Sequence, residues 1–410
     1  MPVVANSHRR YRICHIAYTF VESDTRVARY GLACAEAGHE VEFIALRQNS
    51  QCVKGLVSGL RVFRIQHRSP NEKGQLKHLL RTVIFSFTAM LVISFRFLKT
   101  RYNLVHVHNM PDFLVFACWL PKLAGAKIIL DIHDLVPELY VDKFGRRRKS
   151  WVYRCLLLLE RISCSFADHV IVSNPLWAER ISKRAANPRR CTCLINYPDT
   201  TIFKPSEQPI KNRADGKFLI IYPGSLNWHQ GLHIAIEAMT HLVSRIPGVE
   251  LHIYGDGPAL PRLKSMTREL QLDGKVVFHR PVDTEQIAQI MAEADLGVIP
   301  KLADGFGNEA FSTKSLEFMA CGIPVVMSKT LIDTLYFTDD QVKFFESGNP
   351  EALAEAIWEV YSKPDETRRR VQAAIDLVSK ENWEVKKTEY LGLVETLLRP
   401  KDKEPSKPKG

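Results

Sequence analysis

Paired cysteines and a signal sequence are both missing from this chain of 410 residues. Its nine cysteines are odd in number and scattered, and only Cys191 and Cys193 lie close together. Neither a disulfide framework nor a zinc site is therefore expected. The first residues, MPVVANSHRRYR, lack the apolar core that a signal peptide needs. These absences favour a protein of the reducing cytoplasm.

Long apolar runs are also missing. The apolar stretch 82–95 has the sequence TVIFSFTAMLVISF, carries no charge and is flanked by Arg81 and Arg96. We expect it to be too short to span a bilayer. It is instead a buried helix or an element lying in the membrane interface. A second segment, 143–161, places four basic residues before Trp151 and a leucine run: Arg146, Arg147, Arg148 and Lys149.

The balance of charge differs between the two halves of the chain. Residues 1–205 contain 31 Lys and Arg against 15 Asp and Glu, whereas residues 206–410 contain 25 against 30. A basic half predicts an anionic partner. Nucleic acid is not expected, because the sequence has no zinc finger, RNP-like run or basic heptad helix. An anionic membrane surface remains as the expected partner. We therefore predict a peripheral protein at the inner face of the membrane.

Short apolar runs alternate with helical patterns along most of the chain. This alternation predicts an α/β fold of two doubly wound, Rossmann-like domains facing a cleft. We predict an acceptor-binding domain over 1–205, a donor-binding domain over 206–380, a C-terminal helix over 381–399 that packs back on the N-terminal domain, and a disordered basic tail over 400–410. The predicted strand segments are 12–18, 41–46, 103–109, 127–133, 168–174, 218–224, 249–258, 275–281, 296–300 and 323–328.

The segment GNEAFSTKSLEFMACGIPVV, residues 307–326, predicts a loop, a short helix and a strand. Ser312 or Thr313 can cap the helix, and Gly322 is placed to end it. The start of a helix has unpaired N–H groups and a positive dipole end, which suit a phosphate. Lys314 in the first turn is unfavourable for a lone helix, and it makes sense if an anion binds there.

Two acids flank this helix start. Glu317, one turn into the helix, could accept hydrogen bonds from a ribose diol, and Glu309, before the cap, could hold sugar hydroxyls. The spacing fits an extended ligand of ribose, diphosphate and sugar. Two acids alone are also compatible with a solvated helix.

The second half of the chain resembles the donor domain of the GT-B glycosyltransferases of family 4. The family's two glutamates with seven residues between them match Glu309 and Glu317, followed by MACGIPVV. IYGDGP, VVFHRPVDTEQIAQIMAEADLGVIP and INYPDTTIFKP are also typical of the family. The N-terminal half matches through AEAGHEV, VHVHNMPD and DIHDLVPE, so the resemblance spans about residues 12–397.

The resemblance implies roles for particular residues of the donor domain. Ser312, Thr313 and Lys314 would hold the diphosphate, Glu317 the ribose and Glu309 the donor sugar. The family usually has an Arg and a Lys in the loop after the first strand of this domain, where Ser225 and Gln230 stand here. GDGP, residues 255–258, is as compatible with plain architecture as with binding. The remaining predicted donor contacts are Gly224, Ser225, Arg280, Pro281, Val282 and Phe311.

In the N-terminal domain, the family places a histidine at the position of His133, where it contacts the donor sugar across the cleft. The predicted catalytic residues are thus His133 and Glu309. The glycine-rich loop that follows the family's first strand is replaced here by TFVESDTR, in which side chains such as Glu22 would have to contact the acceptor. The predicted acceptor contacts are Arg26, His108, Asp134 and Glu138.

These features together predict a metal-independent glycosyltransferase without a cofactor. It would move a sugar from a nucleotide donor to a saccharide or lipid-linked acceptor, with retention of anomeric configuration as the resemblance implies. Two alternatives remain open: an inactive GT-B module that binds polyanions or membrane, and a GT-B nucleotide-sugar epimerase. Stabilisation by nucleoside diphosphates would argue against the inactive module. The base, the sugar and the acceptor are not specified by the sequence.

Overall fold

The computed structural model describes residues 9–48, 51–68, 75–144, 150–206 and 216–399. They form two compact units, one of Met1–Ile195 with Lys387–Gly410 and the other of Asn196–Lys386. The division thus lies ten residues before the predicted boundary at 205. The predicted tail 400–410 and the basic cluster 146–149 lie outside the described residues.

The first unit is built on an eight-stranded sheet of order β3-β4-β2-β1-β5-β6-β7-β8. Its strands are β1 (Arg12–Ala17), β2 (Glu40–Arg47), β3 (Lys54–Val57), β4 (Leu60–His67), β5 (Leu104–His108), β6 (Lys127–Ile132), β7 (His169–Val172) and β8 (Cys191–Cys193). Its helices are α1 (Thr25–Glu36), α2 (Gln75–Lys99), α3 (Trp119–Leu123), α4 (Val136–Phe144), α5 (Trp151–Phe166) and α6 (Pro175–Arg184), with 3₁₀ turns at Asp112–Cys118 and Pro188–Arg190.

Helix starts in this unit follow local side-chain chemistry. Asp24 caps α1 by accepting a hydrogen bond from the N–H of Val27 at 3.2 Å. Ser150 and Asn174 cap α5 and α6 in the same way. The central strand β5 is buried along its whole length, as expected for a strand covered on both faces.

Helix α2 is longer than its uncharged centre, 82–95. Residues 77–99 are long and apolar enough to cross a membrane, judged by length and composition alone. The expectation that this segment is too short to span a bilayer is therefore wrong. Its true extent was hidden by Lys77, His78 and Arg81, which interrupt the apolar run in the first turns.

The second unit is built on a six-stranded parallel sheet of order β11-β10-β9-β12-β13-β14. Its strands are β9 (Phe218–Pro223), β10 (Val249–Tyr254), β11 (Val276–His279), β12 (Leu296–Ile299), β13 (Val325–Ser328) and β14 (Lys343–Phe345). Its helices are α7 (Leu232–Leu242), α8 (Leu260–Glu269), α9 (Thr284–Ala292), α10 (Thr313–Ala320), α11 (Asp333–Tyr336), α12 (Pro350–Ser362) and α13 (Pro364–Val378), with a 3₁₀ turn at Trp228–Gln230.

The last helix, α14 (Trp383–Leu398), begins in the second unit and belongs to the first from Lys387 onward. Within the first unit, Tyr390 of α14 is fully buried and its hydroxyl lies 3.0 Å from Nδ1 of His106 on β5. Both units have the α/β, Rossmann-like architecture that the sequence predicts. One strand departs from the parallel pattern, because β3 pairs with β4 in the antiparallel sense.

Candidate functional site

The loops of the second unit that carry the predicted donor residues lie at one edge of its sheet. All six strands are parallel, so their carboxyl ends share that edge. The chain moves outward from β9 through β11, then returns to place β12 on the other side of β9. Ligands of open parallel sheets bind at such a reversal, outside the strands' carboxyl ends. The two loops that meet there are 224–231 and 300–312.

Loop 224–231 depends on glycine for its close packing. A Cβ on Gly231 would lie 1.8 Å from the carbonyl oxygen of Pro300, and Gly231 has a φ of 69°. A Cβ on Gly255 would lie 1.8 Å from the carbonyl oxygen of Gly224. Side chains at these positions would separate the loops. These contacts favour a structural role for the GDGP segment over a role in ligand binding.

Helix α10 forms where the sequence predicts it, and Gly322 follows its end with a φ of 70°. Ser312 takes the N-cap position, but its side chain makes no capping bond, so the prediction of a side-chain cap by Ser312 is wrong. Its Oγ is buried and has no hydrogen-bond partner among the described residues. Leaving a buried hydroxyl unpaired costs about 1–3 kcal/mol. An anion at the helix start would supply the missing acceptor.

Lys314 connects this helix to the loop after β9. Its Nζ lies only 3.1 Å from where a Cβ of Gly224 would stand, and 5.0 Å from the ring centre of Tyr222. Residue 224 must therefore lack a side chain if the amine is to reach across the loop. Burial lowers the pKa of Lys314 to about 8, although Glu317 acts in the opposite direction. A second negative charge beside this amine would restore its full charge.

The two predicted acids stand on either side of this amine along the chain. Glu317 is half-buried in α10, and Glu309 lies in a turn where its N–H donates to the carbonyl of Phe306 at 3.2 Å. The neighbouring Asn308 fixes this turn, because its Oδ1 accepts from the N–H of Leu331 at 2.8 Å. Phe311 packs its ring 4.5 Å from that of Tyr336. The loop around Glu309 is thus anchored on α11 and on the residues just before it.

Lys301 is a residue of this site that the sequence analysis missed. It is buried, its Nζ donates to the carbonyl of Ala310 at 2.6 Å, and it pairs with Asp333 at 2.8 Å. Burial lowers the pKa of its amine, against the opposing effect of Asp333. The pair joins the loop before α10 to α11. The available signal was a lysine directly after the apolar strand LGVIP, where a buried cation needs a partner.

The positions where the family has cations are tied into loop 224–231. Gln230 Oε1 accepts from the hydroxyl of Tyr222 at 3.1 Å, and its Nε2 lies 3.3 Å from Nε2 of His229. Ser225 Oγ accepts from the Asn227 amide at 3.3 Å. Thr313, at the first position of α10, is partly exposed beside Ser312. Three predicted base contacts follow β11 at the same edge and are exposed: Arg280, Pro281 and Val282.

In the first unit, His133 follows β6 and is held by hydrogen bonds of both its ring and its backbone. Its Nε2 lies 2.7 Å from Oδ2 of Asp131, and its N–H donates to Oδ1 of Asn109 at 2.8 Å. About a fifth of the side chain, 22%, remains exposed. Asp131 was not predicted. It could have been found from the two-residue period of a strand, which places it on the same face as His133.

Asp131 is the centre of a buried network that also contains Arg26 and His108. Arg26 Nη2 lies 2.8 Å from Asp131 Oδ1, and His108 Nδ1 lies 3.1 Å from Asp131 Oδ2. Burial opposes ionisation of Asp131, yet Arg26 and His133 keep its pKa well below the ordinary value. Because Arg26 and His108 are buried and paired here, their surroundings favour a structural role over direct contact with an acceptor.

Two more histidines extend this network along the sheet. His15 on β1 places Nδ1 3.2 Å from Nε2 of His108, and its register partner His106 contacts Tyr390. Burial lowers the pKa of both His15 and His106 well below the ordinary value. Nitrogen atoms of His15, His106 and His108 lie within 4.8 Å of one another, as do ligand atoms of His108, Asp131 and His133. In the second group Asp131 is already neutralised by Arg26.

The remaining predicted acceptor residues have different surroundings. Glu138 is buried and pairs with Arg184 at 2.6 Å, and Arg184 also pairs with Glu160 at 2.6 Å. This arrangement joins α4, α5 and α6 and favours a structural role for Glu138. Asp134 is half-buried, and burial raises its pKa. Glu22 accepts from Nε of Arg64 at 3.0 Å.

Comparison with known families matches the two halves of the chain separately. Residues 23–196 match a model described as "Glycosyl transferase 4-like domain", and residues 203–376 match one described as "Glycosyl transferases group 1". Among curated relatives, a D-inositol 3-phosphate glycosyltransferase from Arthrobacter sp. is 31% identical over 245 residues, covering 56% of this chain and 55% of the relative. The phosphatidylinositol N-acetylglucosaminyltransferase gpi3 subunit from Schizosaccharomyces pombe is 26% identical over 300 residues, covering 72% and 60%. The matches thus span less than two thirds of these relatives.

Solved structures resemble nearly the whole chain. A sucrose-phosphate synthase from Thermosynechococcus elongatus has a TM-score of 0.77 at 18% identity, covering 95% of this chain and 99% of that one. The Anabaena protein HepE, solved with UDP and glucose, has a TM-score of 0.72 at 16% identity, covering 94% and 100%. At such identities, these likenesses establish the fold alone.

Proposed function

Because the chain belongs to the GT-B glycosyltransferases of the family 4-like kind, we propose that it transfers a sugar from a nucleoside diphosphate to a saccharide or lipid-linked acceptor. The observation that carries this proposal is the start of α10. There the buried hydroxyl of Ser312 has no partner among the described residues, and the amine of Lys314 lies beside Gly224 in the loop after β9.

The diphosphate is held between this helix start and loop 224–231. Free N–H groups at the first turn of α10 donate to its oxygens, together with Ser312. Lys314 supplies the positive charge, and the bound phosphate raises its pKa from about 8, so that the amine is fully protonated in the complex. Ser225 and Gln230 contribute neutral hydrogen bonds where relatives of the family have cations.

The two acids bind the two ends of the donor, the ribose and the sugar. Glu317 accepts hydrogen bonds from the ribose hydroxyls, and Glu309 accepts from hydroxyls of the sugar. Charge-assisted hydrogen bonds of this kind contribute about 1.5–3 kcal/mol each. Lys301 and Asp333 position Glu309 indirectly, because they fix the loop that carries it.

The reaction breaks the bond between the anomeric carbon and the diphosphate oxygen. The acceptor oxygen forms the new bond on the same face, which retains the configuration. The acceptor proton passes to the leaving phosphate, so no carboxylate nucleophile is needed. The charge that develops on the leaving group is met by Lys314 and the N–H groups of α10, without a metal ion.

The relatives support a particular class of acceptor. One relative is named for D-inositol 3-phosphate and another for phosphatidylinositol, so both names contain an inositol phosphate group. The basic first half of this chain suits an anionic acceptor of that general kind. We propose biosynthesis of a glycolipid or cell-surface polysaccharide as the setting.

The proposal is tested by a panel of nucleotide sugars, with release of nucleoside diphosphate as the readout. One or a few donors should be turned over, faster when saccharide or phosphoinositide acceptors are added. The variant Lys314→Met should abolish turnover, and Lys329→Met, at an exposed lysine of the same unit, should not. Failure of every donor, with no nucleoside diphosphate binding by the folded protein, would contradict the proposal.

A further inference from the structure

Helix α2 has two apolar faces, of which only one is covered by residues that the structure describes. The covered face repeats every three or four residues and packs on β4, α3 and the 3₁₀ turn Asp112–Cys118: Thr82, Phe85, Ala89, Ile93 and Phe97. The opposite face is equally periodic and exposed. We call it the α2 stripe, and it consists of Leu80, Ile84, Phe87, Leu91, Phe95 and Leu98.

The α2 stripe is large for an exposed surface. Its six side chains are each between 48% and 76% exposed. They follow spacings of four and three residues, so they lie on one side of the helix over about 27 Å. An ordered apolar surface of this size marks a site of interaction with a protein or a membrane.

Two further helices lie on the same face of the sheet as α2 and also expose apolar side chains. The connections from β4 to β5, β5 to β6 and β6 to β7 all progress in the same direction across the sheet. Right-handed crossovers therefore place α2, α3 and α5 on one face of the sheet, and the reverse step from β1 to β2 places α1 on the other. The apolar side chains exposed on α3 and α5 are Trp119, Leu123, Trp151, Leu158 and Ile162.

The charges on these helices identify the partner. Helices α2 and α3 contain no Asp or Glu, and the single acid of α5, Glu160, is buried against Arg184. The exposed cations of α2 and α5 border the apolar surface: Lys77, Lys99, Arg154 and Arg161. An apolar surface bordered by cations, with aromatic side chains among the apolar ones, suits the interface of an anionic bilayer.

The fold decides between crossing the membrane and lying on it. Helix α2 connects β4 to β5, and both strands belong to the same sheet. A spanning α2 would place these strands on opposite sides of the bilayer, which would break the sheet. It would also remove Phe85 and Ile93 from the core, where neither is exposed.

We propose that α2 lies in the plane of an anionic lipid surface, with the α2 stripe inserted among the acyl chains and α3 and α5 beside it. This proposal names the membrane partner of the glycosyltransferase function proposed above and rests on it only for its biological purpose. A donor sugar would then be used at the membrane surface, where a lipid-linked acceptor is held.

Co-sedimentation of the whole protein with vesicles tests this placement. The protein should bind vesicles of phosphatidylcholine mixed with phosphatidylglycerol, and bind less at high salt. The variant with Phe87→Gln, Leu91→Gln and Phe95→Gln should lose at least about tenfold in partition coefficient, because three apolar side chains no longer leave water.

A matched control replaces three exposed apolar residues outside this surface, Leu56→Gln, Val243→Gln and Val385→Gln. It should bind vesicles like the wild type. The inference is overturned if the wild type stays in the supernatant, or if the α2 variant binds as well as the control. A wild type that is dimeric without lipid, becomes monomeric in the α2 variant and ignores vesicles would assign the stripe to a second copy.

Nucleoside diphosphate binding, measured on the same preparations, separates this inference from the proposed function. Wild type and α2 variant should bind the nucleotide equally and unfold at the same temperature. If the wild type binds the nucleotide but does not bind vesicles, the membrane inference alone is overturned. Vesicle binding without any nucleotide binding would overturn the proposed function alone.

Discussion

At the scale of single residues, Lys314 occupies a position that is unfavourable for a cation unless an anion is bound beside it. A cation in the first turn of a helix opposes the helix dipole. In the structure it is also held in a partly buried place between Tyr222 and Gly224, which lowers its pKa to about 8. Both costs are offset if an anion binds beside it.

The affinity for nucleoside diphosphate should therefore depend on pH through Lys314. Below about pH 8 the amine is charged in the free protein, and affinity is constant as far as this group is concerned. Above that value a proton must be taken up on binding, so affinity should fall by up to about tenfold per pH unit. Calorimetric titrations at about pH 7 and about pH 9 measure this change.

The variant Lys314→Arg provides the control, because a guanidinium stays charged throughout this range. Its affinity should change little with pH if it binds at all. An affinity of the wild type that is the same on both sides of pH 8 would show that Lys314 does not contact the phosphates.

Ser312 and Lys301 mark the limit of prediction at this scale. The sequence identified Ser312 as a capping residue, and the structure instead leaves its hydroxyl unpaired. The use of Lys301 depends on Asp333, which is 32 positions away and on another element. The position of Lys301 after a buried strand is a local signal, but its partner is distant in sequence and is set by the tertiary fold, so the pair itself could not be derived from local patterns.

At the scale of elements, strands β1, β5 and β6 carry the histidine network of the first unit. His15 and His106 are register partners, and both are fully buried with depressed pKa values. Neutral imidazoles are therefore folded into the core, whereas the unfolded chain protonates them near pH 6.5. Because their folded pKa values lie below the unfolded ones, stability is complete above that pH and is lost as pH falls through it.

We expect the free energy of unfolding to fall between about pH 6.5 and about pH 5, by up to about 1.4 kcal/mol per pH unit for each histidine. Asp131, whose pKa is depressed, loses its contribution only below its ordinary value near 3.8 and does not affect this window. Urea denaturation across the range measures the slope. Buried Glu160 and Asp112, whose pKa values burial raises to about 7 and about 6, act in the opposite direction in this range. The histidine contribution is therefore measured against the double variant His15→Gln and His106→Gln, whose stability should fall less than that of the wild type between about pH 6.5 and about pH 5; equal slopes would contradict the neutral buried state.

Some strands can be located from sequence patterns, and others cannot. Buried parallel strands such as β5 and β12 were located to within about one or two residues, because their apolar runs are bounded by turn residues. Strands β3, β8 and β14 were missed, since each is three or four residues long and partly exposed. Strand β4 was also missed, because its apolar positions are interrupted by Arg61, Arg64 and Gln66.

Helix α10 leads to a prediction about metal ions. Its free N–H groups and Lys314 provide the positive end for the diphosphate, so a divalent cation is not required there. Sugar transfer should persist in excess EDTA. Complete loss on chelation that is restored by adding Mg²⁺ would contradict this, and would indicate that a metal replaces the cations missing at Ser225 and Gln230.

At the scale of the whole molecule, the sequence and the comparisons lead to the same family. The fold class could be derived from alternating patterns, and the candidate site of the second unit was proposed from the two glutamates and their surroundings. The candidate residues of the first unit were less predictable. Arg26, His108 and Glu138 look available in the sequence, but the fold uses them in buried pairs.

The central claim is that the start of α10 is a nucleotide site, and calorimetric titration of nucleoside diphosphates into Glu317→Ala tests it most directly. Loss of the ribose contacts should weaken binding roughly ten- to a hundredfold, because a charge-assisted hydrogen bond contributes about 1.5–3 kcal/mol. The control Glu355→Ala, at an exposed acid of α12, should bind like the wild type. An unchanged dissociation constant in well-folded Glu317→Ala would contradict the assignment.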